Sequence, residues 1–200
     1  MPIKPTSTLS RTISGFGMIE VLVALMLISV GFLNMAGLQT AAKKAGYDSL
    51  QRTSAVILAR DISEKMRANP VSLNRYITAG NGVGGGTLSE PAQGCTLAEQ
   101  CNPNQLADYD LWLWEQALDG ATESRSIDGN DTNTGGLVSP TGCITGPGGG
   151  AAGVYTITIV WRGLNELTNV SQDACGTGLN RYGANEEYRR ILSISAYIAA

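Results

Sequence analysis

The longest apolar run of the chain lies close to its start. Residues 16–38 are apolar or glycine except for Glu20, Ser29 and Asn34. About 20 such residues, at a rise of ~1.5 Å each, cross a ~30 Å hydrocarbon core as a helix. The run therefore predicts one membrane-spanning helix.

The helical pattern continues beyond the apolar run. Within residues 39–68, which contain no proline, apolar side chains recur at helical spacing at Leu50, Ile57, Leu58, Ile62 and Met66. Asn69 and Pro70 end this pattern, because proline disfavours the α conformation of the residue before it. We therefore expect one helix over residues 16–68, apolar in its first part and amphipathic in its second.

After Pro70 the composition becomes rich in glycine, with 16 glycines between residues 71 and 153. A helix is predicted over residues 105–119 because Ala107, Leu111, Trp114 and Leu118 share one face. The stretch GNGVGGG at residues 80–86 contains a GxGxxG-like pattern, but no strand precedes it and no helix follows it. We interpret it as a flexible linker.

Two stretches near the end of the chain alternate as strands do. Residues 154–162 place Tyr155, Ile157, Ile159 and Trp161 on one face, and residues 192–198 alternate in the same way. A small antiparallel sheet packed on a helix, with both faces buried, is the expected arrangement. The fold class predicted is α+β.

Composition excludes several functional classes. The 200 residues include no histidine, which is the commonest general base and the commonest metal ligand, so we predict no enzymatic activity, no cofactor and no metal. The net charge of -3 gives no general attraction to phosphates, so no nucleic-acid partner is predicted.

The charges are unevenly distributed along the chain. Residues 16–70 carry six basic and four acidic side chains, whereas residues 71–200 carry six basic and thirteen acidic ones. A basic segment and an acidic segment of this kind are suited to contacts between stacked subunits. The alternative is that the acidic charge of residues 71–200 only favours solubility.

The first 15 residues predict the orientation of the span. They contain Lys4 and Arg11 and no acid, and positive charge before a span favours the cytoplasmic side. The rest of the chain is then periplasmic. A conventional secretory signal would be cleaved after the apolar run, but here the run continues directly into the helical pattern.

All four cysteines, Cys95, Cys101, Cys143 and Cys175, lie in the part predicted to be periplasmic. An oxidising compartment and an even count favour disulfides. Chain order suggests Cys95 with Cys101 and Cys143 with Cys175, and the other two connectivities stay open. Zinc is disfavoured because there is no close CxxC pair and no histidine.

Glu20 is the least expected residue of the apolar run. A carboxylate in hydrocarbon costs about 3 kcal/mol on insertion scales, so it indicates a function and a partner unless it lies at the headgroup level. The stretch GFGMIEVLVAL at residues 15–25 resembles the class III signal of type IV prepilins: a short basic leader ending in glycine, then Phe, then Glu four residues later and an apolar run.

The resemblance implies a processing pathway and a set of partners. Prepilin peptidase would cut between Gly15 and Phe16 and methylate the new amino terminus, and Glu20 would neutralise the α-amino group of a neighbouring subunit. The partners would be other major and minor pilins and the inner membrane, and the fold would be a long helix packed on a β-sheet head. Two departures are Gly17, where Thr or Ser is usual, and Gly37, where major pilins often carry proline.

The resemblance also suggests a subtype and a domain plan. The stretches GMIEVLVALMLISVGFLNMAGLQ and LARDISEKMRANP resemble minor pilins of the type IV pilus modification protein PilV group. The plan is a leader at residues 1–15, a long helix at 16–70 and a head at 71–200, held in the inner membrane before assembly and in the pilus afterwards. Alternatives are a minor pseudopilin of a type II secretion system, or a single-pass anchored periplasmic binding or enzymatic domain.

Overall fold

A computed structural model describes residues 15–78, 82–96, 100–121, 123–127 and 130–199. Contacts divide the chain into two compact units, with the boundary between Lys44 and Ala45. A long helix, α1, covers Met18–Ala68 and contributes to both units. The described residues of the second unit also form helices α2 (Leu73–Tyr76) and α3 (Pro103–Asp119) and five strands.

Helix α1 ends where the sequence predicts. Its last residue is Ala68, and the Asn69 N–H donates to the Lys65 carbonyl at 3.1 Å before Pro70 starts a 3₁₀ turn. The combination of a long N-terminal helix with a small antiparallel sheet confirms the predicted α+β architecture.

The buried face of α1 in the second unit includes only some of the predicted apolar residues. Ile62 and Met66 are fully buried and Leu58 is partly buried, whereas Leu50 and Ile57 are 68% and 61% exposed. The buried positions are Gln51, Ala55, Ala59, Ile62, Ser63 and Met66. At ~100° per residue, Leu50 and Ile57 point away from this face. Small and polar residues make up part of the buried face, and a search for large apolar residues cannot detect them.

Helix α3 confirms the predicted apolar face. Ala107, Trp114 and Leu118 are fully buried and Leu111 is nearly so. The helix starts at Pro103, two residues before the predicted start at residue 105, because Asn102 caps it. The Asn102 side chain accepts hydrogen bonds from the N–H groups of Asn104 and Gln105 at 3.0 Å each.

Trp114 joins α3 to both α1 and the sheet. Its indole Nε1–H donates to the Leu58 carbonyl of α1 at 2.9 Å. On the other side of the ring, a Cβ atom added to Gly142 would collide with the indole. Glycine at position 142 therefore provides the space into which the indole packs.

The main sheet has three antiparallel strands in the order β3, β4, β5. They are β3 (Thr141–Thr145), β4 (Gly153–Arg162) and β5 (Arg189–Ile198), and the last two confirm the predicted strands. Strand β3 was not predicted, because TGCIT lacks an alternating apolar pattern. A polar hairpin of β1 (Ser124–Ile127) and β2 (Asn130–Asn133) was also not predicted.

The two faces of the sheet are covered by different parts of the chain. Tyr155, Ile157 and Ile159 of β4 join a core with α1 and α3. On the opposite face, a smaller core groups Val160 with Cys143, Cys175 and Tyr182. The expectation that both faces are buried is wrong at β5, where Tyr197 is 65% exposed and Ser193 and Ser195 are also exposed. This strand lies at the edge of the sheet.

The glycine-rich stretch is not a flexible linker over residues 82–86. Val83 is buried and exchanges two backbone hydrogen bonds with Gly142, at 2.8 and 2.7 Å. The Gly84 N–H donates to Glu115 at 2.8 Å, and the Gly85 N–H donates to Asp119 at 2.8 Å. Two carboxylates of α3 therefore satisfy backbone donors that a strand or helix would otherwise pair.

Glu115 is fully buried and accepts four hydrogen bonds from this stretch. The donors are the N–H groups of Gly84, Thr87 and Leu88, at 2.7 to 2.8 Å, and the Thr87 hydroxyl. Hydrogen bonds to a charged acceptor each contribute about 1.5 to 3 kcal/mol. The side chain fixes the segment against α3.

We expect Glu115→Gln to lower the free energy of unfolding by about 2 kcal/mol, because the amide group directs N–H donors at backbone N–H donors. Urea unfolding of the detergent-solubilised chain, followed by tryptophan fluorescence, measures this change. Glu64→Gln is the control, since Glu64 is exposed on α1. Equal midpoints for the two variants would contradict the role assigned to Glu115.

Candidate assembly site

The first unit contains an apolar helical surface that no described residue covers. The first part of α1 includes an 18-residue window apolar enough to cross a membrane, and none of that window is buried. Its exposed side chains include Leu22, Leu25, Met26, Leu27, Phe32 and Leu33. This is the segment expected to contact lipid or other helices.

Hydroxyl groups on this part of α1 are satisfied within the helix. Ser29 Oγ donates to the Leu25 carbonyl at 2.7 Å, and Thr40 Oγ1 donates to the Ala36 carbonyl at 3.0 Å. Such back-bonding removes the need for an external acceptor, as apolar surroundings require.

The residues of the predicted cleavage site lie just before the helix. Gly15 and Phe16 are exposed and non-helical, and Phe16 is 82% exposed. The Gly17 carbonyl accepts the N–H groups of Glu20 and Val21 at 3.0 and 3.3 Å. Gly17 thus lies at the start of the helix, where glycine is tolerated, and not in its interior. Gly37 lies within the continuous helix.

Glu20 lies in the first turn of α1 and is exposed. There its negative charge interacts favourably with the unpaired N–H groups of the helix start. Among the residues that the structure describes, its carboxylate has no hydrogen-bond or ion-pair partner. Gly15, Phe16 and Glu20 therefore lie within about two turns of one another on an open segment.

A polar network joins the end of α1 to α2 and α3. The Tyr76 hydroxyl donates to Asp110 at 2.6 Å, and Lys65 lies 3.6 Å from the same carboxylate. The Asn69 amide donates to the Pro103 carbonyl at 2.7 Å. Burial, together with the hydrogen bond to Asp110, raises the pKa of the Tyr76 phenol well above its usual value.

All four cysteines form disulfides in the structure. Cys95 pairs with Cys101, just before the start of α3, with their Cα atoms 5.2 Å apart. Cys143 of β3 pairs with Cys175, with a Cα separation of 5.9 Å. The second bond connects the sheet to the long segment between β4 and β5 and lies in the smaller core.

Arg189 organises the same segment. It is 3% exposed, and its guanidinium donates to the carbonyls of Ser171, Asp173 and Cys175 and to the Thr177 hydroxyl. A planar group with five donors suits this set of acceptors. Sequence analysis did not identify Arg189 or Glu115, because each binds backbone groups and such partners leave no motif.

Comparison with known proteins relates part of the chain to pilins. Residues 37–112 match a family model described as Tt1218-like: Type IV pilin Tt1218. This segment is therefore similar to a type IV pilin. The match covers less than half of it, from the second part of α1 to the middle of α3, and includes Cys95 and Cys101 but neither Glu20 nor the main sheet. No curated protein and no solved structure matches the chain.

A pilin-type structural protein is expected to assemble with other pilins, and the exposed apolar part of α1 fits membrane anchoring and incorporation into a pilus.

We expect Tyr76→Phe to change the pH dependence of stability. Tyr76 contributes fully below the usual tyrosine pKa of about 10, where both states are protonated. Above it the unfolded phenol ionises while the folded one stays protonated, so this contribution falls by about 1.4 kcal/mol per pH unit.

The measurement is the free energy of unfolding at pH 8 and at pH 11. At pH 8 the variant should be about 1 kcal/mol or more less stable than the wild type, since the hydroxyl loses its hydrogen bonds with Asp110 and Asn69. At pH 11 this difference should shrink or reverse. Parallel pH curves for the two proteins would show that Tyr76 is not the group responsible.

Proposed function

We propose that the chain is a minor type IV pilin that is held in the inner membrane by the first part of α1 and then inserted by it into a pilus. The observation that carries this proposal is the contrast within one helix. Before Lys44 its apolar side chains are exposed, whereas after Ala45 one face is buried in an α+β unit. A helix with an uncovered apolar surface needs lipid or other helices around it.

The position of the leader junction supports processing by prepilin peptidase. Gly15 and Phe16 precede the first helical residue, Met18. A peptidase can therefore bind the bond between them in an extended form without unwinding α1. In this proposal cleavage exposes the α-amino group of Phe16, which the same enzyme methylates on the cytoplasmic face.

The proposed role of Glu20 follows from the free-energy cost of its charge. A carboxylate packed among apolar helices is stable only with a cationic partner. Cleavage after Gly15 creates such a cation on every subunit. We propose that Glu20 pairs with the α-amino group of a neighbouring subunit and so sets the register of the helices.

The head is proposed to be periplasmic before assembly and exposed on the pilus afterwards. Its disulfides suit an oxidising compartment. Membership of the PilV group, and a part in pilus initiation, twitching motility or adhesion, belong to this proposal through the sequence resemblance alone.

A first prediction concerns the mature amino terminus. Mass spectrometry of the membrane-extracted chain should find a terminal peptide that starts at Phe16 and carries one added methyl group. A strain without prepilin peptidase, as the control, should retain residues 1–15. Retention of these residues in a strain with active peptidase would contradict the pilin function and favour an anchored periplasmic domain.

A second prediction concerns Glu20. We expect Glu20→Ala to lower the amount of the chain in sheared pili about tenfold, equivalent to ~1.4 kcal/mol of lost pairing energy. Glu64→Ala, an acid on the exposed side of the same helix, should leave incorporation unchanged. Unchanged pilus incorporation and methylation in Glu20→Ala would overturn the pairing. Absence of the wild-type chain from sheared pili would favour the pseudopilin alternative.

A further inference from the structure

A groove lies in the second unit, between the first half of α3 and residues 88–93. Its volume is about 390 Å³, within the range of roughly 300 to 1,000 Å³ that is typical of small-molecule sites. The lining includes Leu88 and Ser89 on one side and, from α3, Gln105, Asp108, Leu111 and Trp112 on the other. None of these side chains belongs to the leader junction or to the two disulfides.

The wall formed by residues 88–93 is held at both ends. At its start, the Leu88 N–H donates to the buried carboxylate of Glu115 at 2.8 Å. Just beyond its end, the disulfide between Cys95 and Cys101 connects the chain to the start of α3. The groove is therefore formed before a ligand arrives, which lowers the entropic cost of binding.

The side chains that α3 contributes share one face of the helix. Gln105, Asp108 and Trp112 are separated by three and then four residues, a spacing that places neighbouring Cβ atoms about 5 to 6 Å apart. The seven residues from Gln105 to Trp112 cover about 10 Å of helix. A ligand in the groove therefore meets an amide, a carboxylate and an indole in that order.

The polar groups of this face are accessible and oriented. The Asp108 side chain is 40% exposed, and both of its oxygens accept hydrogen bonds from Arg75, one of them from Nε at 3.1 Å. The Asn102 N–H donates to Gln105 Oε1 at 2.9 Å. This leaves the NH₂ group of the exposed Gln105 without a partner among the described residues. The groove thus offers one fixed acceptor and one free donor.

Charge restricts the kind of ligand. Among the described residues, Asp108 is the only charged member of the lining, and Arg75 neutralises it. A charged ligand would find no unpaired opposite charge in the groove. A purely apolar ligand would cover the Asp108 carboxylate and the Gln105 amide without replacing their hydrogen bonds to water, at about 1 to 3 kcal/mol for each group. The lining favours an uncharged ligand that carries both donors and acceptors.

We propose that this groove binds a short neutral saccharide. A pyranose ring has an apolar C–H face, which stacks on the Trp112 indole, and hydroxyl groups around its rim. Each hydroxyl both donates and accepts, so one can donate to Asp108 while its neighbour accepts from Gln105. The site uses neither the apolar part of α1 nor the leader junction, and binding to the purified chain does not depend on pilus assembly.

Methyl glycosides of glucose, galactose and mannose are the neutral probes. For each of them, the amino sugar provides a matched cation and the uronic acid a matched anion, while cyclohexanol has a ring of the same size with a single hydroxyl. The readout is the indole N–H signal of Trp112 in ¹⁵N-labelled full-length chain, assigned with Trp112→Phe. The detergent must carry no sugar headgroup, since such a headgroup would compete for the groove.

At least one neutral glycoside should shift the Trp112 signal saturably. It should bind about tenfold or more tightly than its matched cation, its matched anion and cyclohexanol. The absence of a saturable shift with all the neutral glycosides would overturn the saccharide site. Equal or tighter binding of a charged analogue or of cyclohexanol would also overturn it.

Asp108→Ala tests the acceptor. It should weaken binding of the neutral glycoside about tenfold or more, because the hydroxyl that donates to the carboxylate loses its partner. Asp61→Ala, which removes a half-exposed acid paired with Lys65 on α1, should leave binding unchanged. The Trp114 indole signal reports whether each variant keeps its fold. Full glycoside affinity in a folded Asp108→Ala variant would contradict the proposal.

Arg75→Met tests the charge compensation, in which Arg75 acts as a positioning residue. Without the guanidinium, the Asp108 carboxylate lacks its cation, so the affinity for the amino sugar should rise about tenfold relative to that for the neutral glycoside. A merely structural role of Arg75 would lower both affinities in the same proportion. An unchanged ratio in a folded variant would overturn the assignment of Arg75 as the residue that makes the groove selective for neutral sugars.

Discussion

The second unit depends on the contact of Trp114 with α1 and with the sheet. Its indole N–H reaches the Leu58 carbonyl on one side, and its ring packs against Gly142 on the other. The small side chains of Ala55 and Ala59 lie on the buried face of α1. A large aromatic ring between two elements stabilises them by burial of apolar area, and its polar atom fixes their register.

Around this contact, charged side chains hydrogen-bond to backbone groups that a regular helix or strand would otherwise pair. Glu115 and Asp119 of α3 pair with the backbone of the glycine-rich segment. Arg189 does the same for the segment between β4 and β5, which the bond between Cys143 and Cys175 also restrains. A glycine-rich chain loses much conformational entropy on folding, so such fixed acceptors and donors offset part of a large cost.

The two parts of α1 illustrate two ways of stabilising one helix. The first part is apolar on all sides and keeps its hydroxyls bonded internally, as a helix surrounded by lipid or by other helices must. The second part buries one face, which includes Ala55, Ala59, Ile62 and Met66, within its own chain. The similarity of residues 37–112 to a type IV pilin covers the second part, and the prepilin-like signal lies in the first.

The sequence by itself determined the long helix, its end before Pro70, the apolar face of α3 and the strands β4 and β5, because each is encoded by a local period or by a proline. It also carried the residues of the prepilin-like signal, Gly15, Phe16 and Glu20. Only the tertiary structure decided which face of α1 is buried, that residues 82–86 are fixed, and that residues 88–93 form a groove with Asp108 and Trp112. Those features depend on contacts between residues that are about 20 to 90 positions apart in the chain. A local sequence pattern carries no information about such contacts.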